Sequence, residues 1–245
     1  VIPEKYVIHT HSLDVIANTL TSRGKINLKN NLKDMDWDWI SYKKPGVELG
    51  DSIKRSRSHR KRNIFILENH GLIVAADKKH EAIKLQDLIL KRIKIEESNC
   101  GAFDLKYLTD KINILMSNGI KARLPRNSII HTLGVNKWSS LLCNLNPLYP
   151  DHVVFCGVKP SIIEESNNII VSANDQNIKY LIIRGKGVVL INECSKATES
   201  MLEAQSRIHL RIVEGDIVKS LNRLECNELI DWEAEKYRMK LAKLK

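Results

Sequence analysis

The sequence predicts an α/β fold, a central β-sheet flanked by helices, laid down twice along the chain. Three observations carry that expectation. Short, wholly apolar runs such as Ile64-Phe65-Ile66-Leu67 and Tyr180-Leu181-Ile182-Ile183 have strand length and strand composition. Each is followed by a glycine-containing turn and a second apolar run, Leu72-Ile73-Val74-Ala75 and Val188-Val189-Leu190-Ile191. After each pair, apolar residues recur at helical spacing, over residues 79–97 and 195–213.

The remaining elements follow in order. Residues 5–10 read as a short strand, and Ser12 as the N-cap of a helix through Val15, Ile16 and Leu20. Residues 21–41 are polar and read as irregular, with Trp37 and Trp39 flanking Asp38. Pro45-Gly46 is a turn, and Val47, Leu49 and Ile53 start a helix of modest length. Residues 54–62 carry six cations and no acid; the reading preferred for them is a solvated loop. Arg184-Gly185-Lys186-Gly187 is expected to be a hairpin turn, because it lacks the spacing of a phosphate-binding loop and leads into a strand, not a helix. Residues 233–245 read as a charged amphipathic helix.

The two halves align as pseudo-repeats. Residues 65–74 match 181–190, and Ile2-Pro3-Glu4-Lys5-Tyr6-Val7-Ile8-His9 matches Tyr149-Pro150-Asp151-His152-Val153-Val154-Phe155-Cys156. This sets the expected domains at 1–98 and 99–245. It leaves residues 101–147 as helix and loop ahead of the second copy's first strand, with nothing comparable ahead of the first. The chain also opens on Val1, almost inside a strand pattern, so the first copy is expected to lack upstream sequence.

Composition narrows the function. The 245 residues are 43% hydrophobic, enough for one large core or two small ones. No run approaches the roughly 20 apolar residues that cross a bilayer, so no membrane role is expected. The five cysteines are an odd number, widely spaced and without a CxxC pair, which fits reduced thiols and a cytoplasmic location. Lys and Arg exceed Asp and Glu by 39 to 29, a net charge of +10. Much of the excess sits in residues 54–62, where scarce aromatics argue against nucleic acid as partner.

The chemistry-bearing residues are histidines. His9 and His11 are two apart in a strand, so both point to one face. His70, in Glu68-Asn69-His70-Gly71, could close a three-nitrogen set from a neighbouring turn. Three imidazoles with an open fourth position make a catalytic rather than a structural zinc site. Gly71 would allow a sharp turn beside the ligand, and Asn69 would orient it from behind. Spacing alone does not separate such a pair from two incidental histidines. His59, His80, His131, His152 and His209 have no such neighbours and read as surface or core residues.

Taken together, Val7-Ile8-His9-Thr10-His11-Ser12, Tyr42-Lys43-Lys44-Pro45-Gly46-Val47-Glu48-Leu49 and Leu67-Glu68-Asn69-His70-Gly71-Leu72-Ile73-Val74 resemble the class II aldolase/adducin family, in that family's order. Tyr149-Pro150-Asp151 and residues 231–238 resemble the branch containing the aldolase portion of bifunctional rhamnulose phosphate aldolase/dehydrogenase proteins. The resemblance implies a three-layer α/β/α fold. It also implies a lyase that makes or breaks a carbon–carbon bond in a phosphorylated ketose through a metal-stabilised enediolate. His9, His11 and His70 would hold a divalent metal, with zinc preferred, and no organic cofactor is implied. Tyr42 stands where some members place a proton-donating tyrosine that acts across a subunit boundary. The same resemblance implies a homo-oligomer and a phosphorylated sugar as substrate.

The departures matter equally. The family's general base and phosphate-gripping loops precede the HxH motif, where this chain has only eight residues, and Glu4 is too close to serve. In the second copy the pseudo-repeat places Cys156, Val158 and Lys186 at the positions of the three histidines, so that copy cannot build the site. The alternative function is therefore a non-catalytic, adducin-like assembly module that keeps a vestigial metal site.

Overall fold

The computed structural model describes residues 1–230, apart from 167, 176 and 193, together with residues 232, 233 and 237. The chain forms two units, Val1–Glu96 with Arg211–Leu221, and Glu97–Leu210 with the residues from Asn222 onward. Among the described residues, no helix is long and apolar enough to cross a membrane.

The first unit is built on a mixed four-stranded sheet. Its elements are β1 (Tyr6–Thr10), α1 (Leu13–Thr19), α2 (Ser22–Asn31), β2 (Trp37–Ile40), α3 (Val47–His59), β3 (Ile64–Leu67), β4 (Gly71–Ala76) and α4 (Lys79–Arg92). The strands lie in the order β1-β4-β3-β2. β4 is antiparallel to both neighbours and β2 is parallel to β3, so only the β2–β3 link needs a crossover, which α3 provides. Both faces of β3 and β4 are covered, which explains their unbroken apolar runs. Ile64, Ile66, Leu72 and Val74 pack with Val15, Leu28, Leu32, Ile89 and Ile93 from α1, α2, α4 and the residues that follow them. Phe65, Leu67 and Ile73 face the other way, onto Leu49 and Ile53 of α3.

The second unit contains α5 (Leu105–Ser117), β5 (Ala122–Arg123), a 3-10 turn (Ser128–His131), α6 (Thr132–Val135), α7 (Lys137–Leu142), α8 (Pro150–Cys156), β6 (Ser161–Ile163), α9 (Ile169–Ala173), β7 (Tyr180–Ile183), β8 (Gly187–Ile191), α10 (Lys196–His209) and α11 (Arg223–Ile230). Its sheet order is β5-β8-β7-β6. β8 is antiparallel to both neighbours and β6 is parallel to β7. Leu181, Ile183, Val189 and Ile191 pack on α5 and α9, while Tyr180, Ile182, Val188 and Leu190 face α6, α8 and α10.

Four expectations are corrected. Residues 150–156 are helix, not strand, so the match of 149–156 to 2–9 fails. Pro150 occupies the first helical turn, where its fixed φ is already helical, and Tyr149 precedes it in extended conformation. The apolar run that follows has strand composition, but burial on all sides suits a helix equally well. The strand that occupies the edge position of the second sheet lies instead within 101–147, as β5 paired to β8. Residues 21–41 are ordered: the Thr21 hydroxyl accepts from the Gly24 amide and caps α2, whose apolar stripe is only Leu28 and the following Leu32. Trp37 to Ile40 then form β2. The basic run is not a loop either; residues 54–59 of it continue α3. Arg57 is nearly buried against Glu4 at 2.8 Å, and Arg62 pairs with Asp36 and Asp38. The hairpin expected at residues 184–187 is observed between β7 and β8. The tail motif at 231–238 and the helix expected over 233–245 lie mostly outside the described residues.

All five cysteines are free, and four are buried. Three of the histidines set aside in the sequence are buried in the second unit. His131 Nδ1 accepts from the Val188 amide at 3.0 Å, and its ring stacks on Phe103. His209 Nδ1 lies 2.8 Å from the Ser139 hydroxyl. Burial lowers both His131 and His152 to about 4. Burial, and then repulsion from His152, takes His209 to about 3. All three are neutral when folded and titrate near 6.5 when unfolded, so the unfolded chain binds more protons below that pH. Stability is therefore complete above about pH 6.5 and falls as the pH drops toward 4, by up to about 1.4 kcal/mol per pH unit for each histidine. Urea unfolding between pH 7 and pH 5 is expected to show this slope, and His152→Gln to reduce it by one histidine's share.

Candidate metal centre

The site forms where β1 ends beside the β3–β4 turn. The antiparallel register sets His9 opposite Ile73 and Thr10 opposite Leu72, bringing the end of β1 alongside the start of β4. His9 Nδ1 donates to the Leu72 carbonyl at 2.9 Å. That bond fixes the tautomer and leaves His9 Nε2 as a lone-pair donor. His11 Nε2 lies 3.1 Å from it.

His70 arrives from the turn. Leu67 ends β3 and Gly71 begins β4, so Glu68, Asn69 and His70 make the whole reversal, closed by the His70 amide on the Leu67 carbonyl. Asn69 takes the left-handed conformation, φ 55°, which asparagine tolerates better than most residues. A side chain on Gly71 would place its Cβ 2.2 Å from the Thr10 carbonyl oxygen, so only glycine lets the turn close on β1.

The three rings surround one point. Their centroids are 4.8 Å (His9–His11), 5.0 Å (His9–His70) and 4.7 Å (His11–His70) apart, at steep mutual angles. One nitrogen from each lies within 4.8 Å of the others. His70 is buried, His11 half-buried and His9 exposed, so the cluster has a closed floor and an open side. Two imidazoles on one tetrahedral ion at about 2.05 Å would have nitrogens about 3.3 Å apart, close to the His9–His11 separation. The backbone carbonyl behind His9 is the usual outer partner of a metal-binding imidazole. The donor set therefore fits a divalent metal ion with an open coordination position.

The other residues singled out in the sequence surround the turn. The Asn69 amide donates to Thr19 Oγ1 at 3.1 Å, and its side-chain Nδ2 to the Lys219 carbonyl at 2.9 Å. Tyr42 follows β2 by two residues, and its backbone amide donates to Glu68 Oε2 at 3.0 Å. Its hydroxyl oxygen is buried within the chain.

Sequence reasoning missed Glu68 and Lys219. Glu68 is nearly buried, and its Oε2 also accepts from Lys219 Nζ at 2.7 Å. A carboxylate between two wholly apolar strands was a usable signal, since such a charge needs a partner. Lys219 had none, being 151 residues from Glu68 in sequence.

A family model described as the class II aldolase and adducin N-terminal domain matches residues 3–96, a span that contains all three histidines. No curated protein matches the chain. A crystal structure of an aldolase II superfamily protein from Pseudomonas syringae is similar, with 17% identity and a TM-score of 0.30. The alignment covers 45% of this chain and 40% of that one, so the chain spans less than half of that protein's length.

Because residue 71 must lack a side chain, Gly71→Ala is expected to cost roughly 1–3 kcal/mol of stability, the range for overpacked positions. Denaturant unfolding of the substituted and parent chains measures the difference.

Proposed function

Since residues 3–96 belong to the class II aldolase/adducin family, we propose that the first unit is a divalent-metal centre for aldol chemistry on a phosphorylated ketose. The observation that carries the proposal is the convergence of His9, His11 and His70, with one nitrogen of each within 4.8 Å of the others. Zinc is the preferred ion, because an all-imidazole set with an open position is a zinc-type donor set. The ion supplies Lewis-acid polarisation of the substrate's carbonyl and hydroxyl oxygens. The chain's own part is to hold the three donors in place. His9 is oriented by the Leu72 carbonyl, and His70 is set by a turn that cannot slide because Gly71 abuts β1. The exposed side at His9 is where a substrate would enter.

We read the second unit as a degenerate copy of this one. The shared strand order and the matching hairpins support that reading. Extending the β5–β8 register by three residues sets Leu124 and Arg126 at the positions of His9 and His11, in place of Cys156 and Val158. Lys186 keeps the position of His70 and pairs with Asp104 and Glu165. A leucine and two cations offer no metal donor set, so the chemistry is assigned to the first unit alone.

The purified chain is expected to carry about one divalent ion, and His70→Ala to lose it while keeping its circular dichroism spectrum. Chelation should empty the site, and added zinc should refill it in the parent chain but not in His70→Ala. Elemental analysis that finds no bound ion in the native chain would refute the proposal.

A further inference from the structure

Residues Arg211–Leu221 belong to the first unit, although residues 97–210 separate them from the rest of it. They cross it as a strap with a defined contact at almost every step. Arg211 Nε pairs with Asp14 at 3.0 Å, with both side chains largely covered. Asp216 pairs with Arg23, and Val218 bridges to Thr21. The Lys219 amide donates to the Leu20 carbonyl at 2.8 Å, and Leu221 is buried.

The strap reaches the metal centre through one residue. The Lys219 carbonyl accepts from Asn69 Nδ2, and its ammonium donates to Glu68 Oε2. Lys219 therefore grips the first two residues of the three-residue turn that presents His70. The Glu68 side chain is 11% exposed and takes a charge-assisted bond of 2.7 Å from Lys219, whose own side chain is 56% exposed, so the carboxylate is held from the open side of the turn. The same carboxylate oxygen takes the Tyr42 amide, which adds the segment after β2 to the brace. Neither Lys219 nor Glu68 is among the three donors; Lys219 holds the side chains of the two residues that precede His70 in its turn.

We propose that Lys219 is a positioning residue for the His9–His11–His70 centre, and that through it metal binding and docking of the strap are coupled. The inference rests on the metal reading given above. Partners that orient a metal ligand from behind are worth about 10- to 100-fold in metal affinity. Coupling between two events is reciprocal, so a bound ion must also hold the strap down.

The test uses the full chain and zinc alone as probe. Zinc affinity, measured by competition with a chromophoric chelator, is expected to fall about 10-fold or more in Lys219→Met. Lys219→Arg keeps a cation facing Glu68 and is expected to restore most of that loss. In the parent chain, zinc is expected to slow amide hydrogen exchange across residues 211–221, and this protection should be absent in Lys219→Met. A brace that served stability alone would shift the unfolding midpoint without that zinc-linked protection. The exchange measurement on the parent stands even where the methionine variant fails to fold. If zinc binds the parent but leaves exchange at 211–221 unchanged, or binds Lys219→Met equally well, the positioning role is overturned and the metal reading stands. A parent chain that binds no zinc overturns both.

Discussion

The three-residue reversal between β3 and β4 has to pass against the end of β1, and the candidate centre depends on that close approach. Its two sides come from segments some sixty residues apart, one holding His9 and His11 and the other His70. The antiparallel register of β1 on β4 brings them together, and the missing side chain of Gly71 lets them touch. Asn69 in the left-handed region then aims the turn, and the Leu72 carbonyl aims His9. Each is a backbone device, so the donors are placed by the sheet itself.

Placing a turn this way buries polar groups, and each unit compensates them differently. In the first, the Glu68 carboxylate is met by the Tyr42 amide and the Lys219 ammonium. In the second, the hairpin turn carries Lys186, which meets the carboxylates of Asp104 and Glu165. A buried acid elsewhere in that unit is Glu199, at the start of α10. Burial raises its carboxyl, but the Arg123 guanidinium and the Arg126 amide outweigh burial and hold it below the usual carboxylate range. Hairpins of the same length thus stand in opposite electrostatic settings. One gathers three imidazoles, and the other gathers ions that neutralise one another.

Much of the fold was legible because local pattern and tertiary demand agreed. The apolar runs at 64–67, 71–76, 180–183 and 187–191 are strands because helices cover both their faces. The amphipathic runs after them are helices for the complementary reason. Legibility failed where burial was partial or the pattern ambiguous. α2 buries little of its surface, so its stripe was too thin to see, and the apolar run in 150–156 satisfies strand and helix patterns equally. β5 has two residues and takes its identity wholly from β8. The basic run reads as a solvated loop because charge alone does not reveal that Arg57 lies against Glu4.

Local pattern in the chain is enough for the alternation of strands and helices, the hairpin turns and the three histidines as one candidate set. Residue type, periodicity and short spacing carry that information, and all three act within a few residues. Which strands pair, and that Lys219 is the cation meeting Glu68, follow from the folded arrangement alone. Those are contacts between segments up to 151 residues apart, and no local rule relates such segments until the sheet has brought them together.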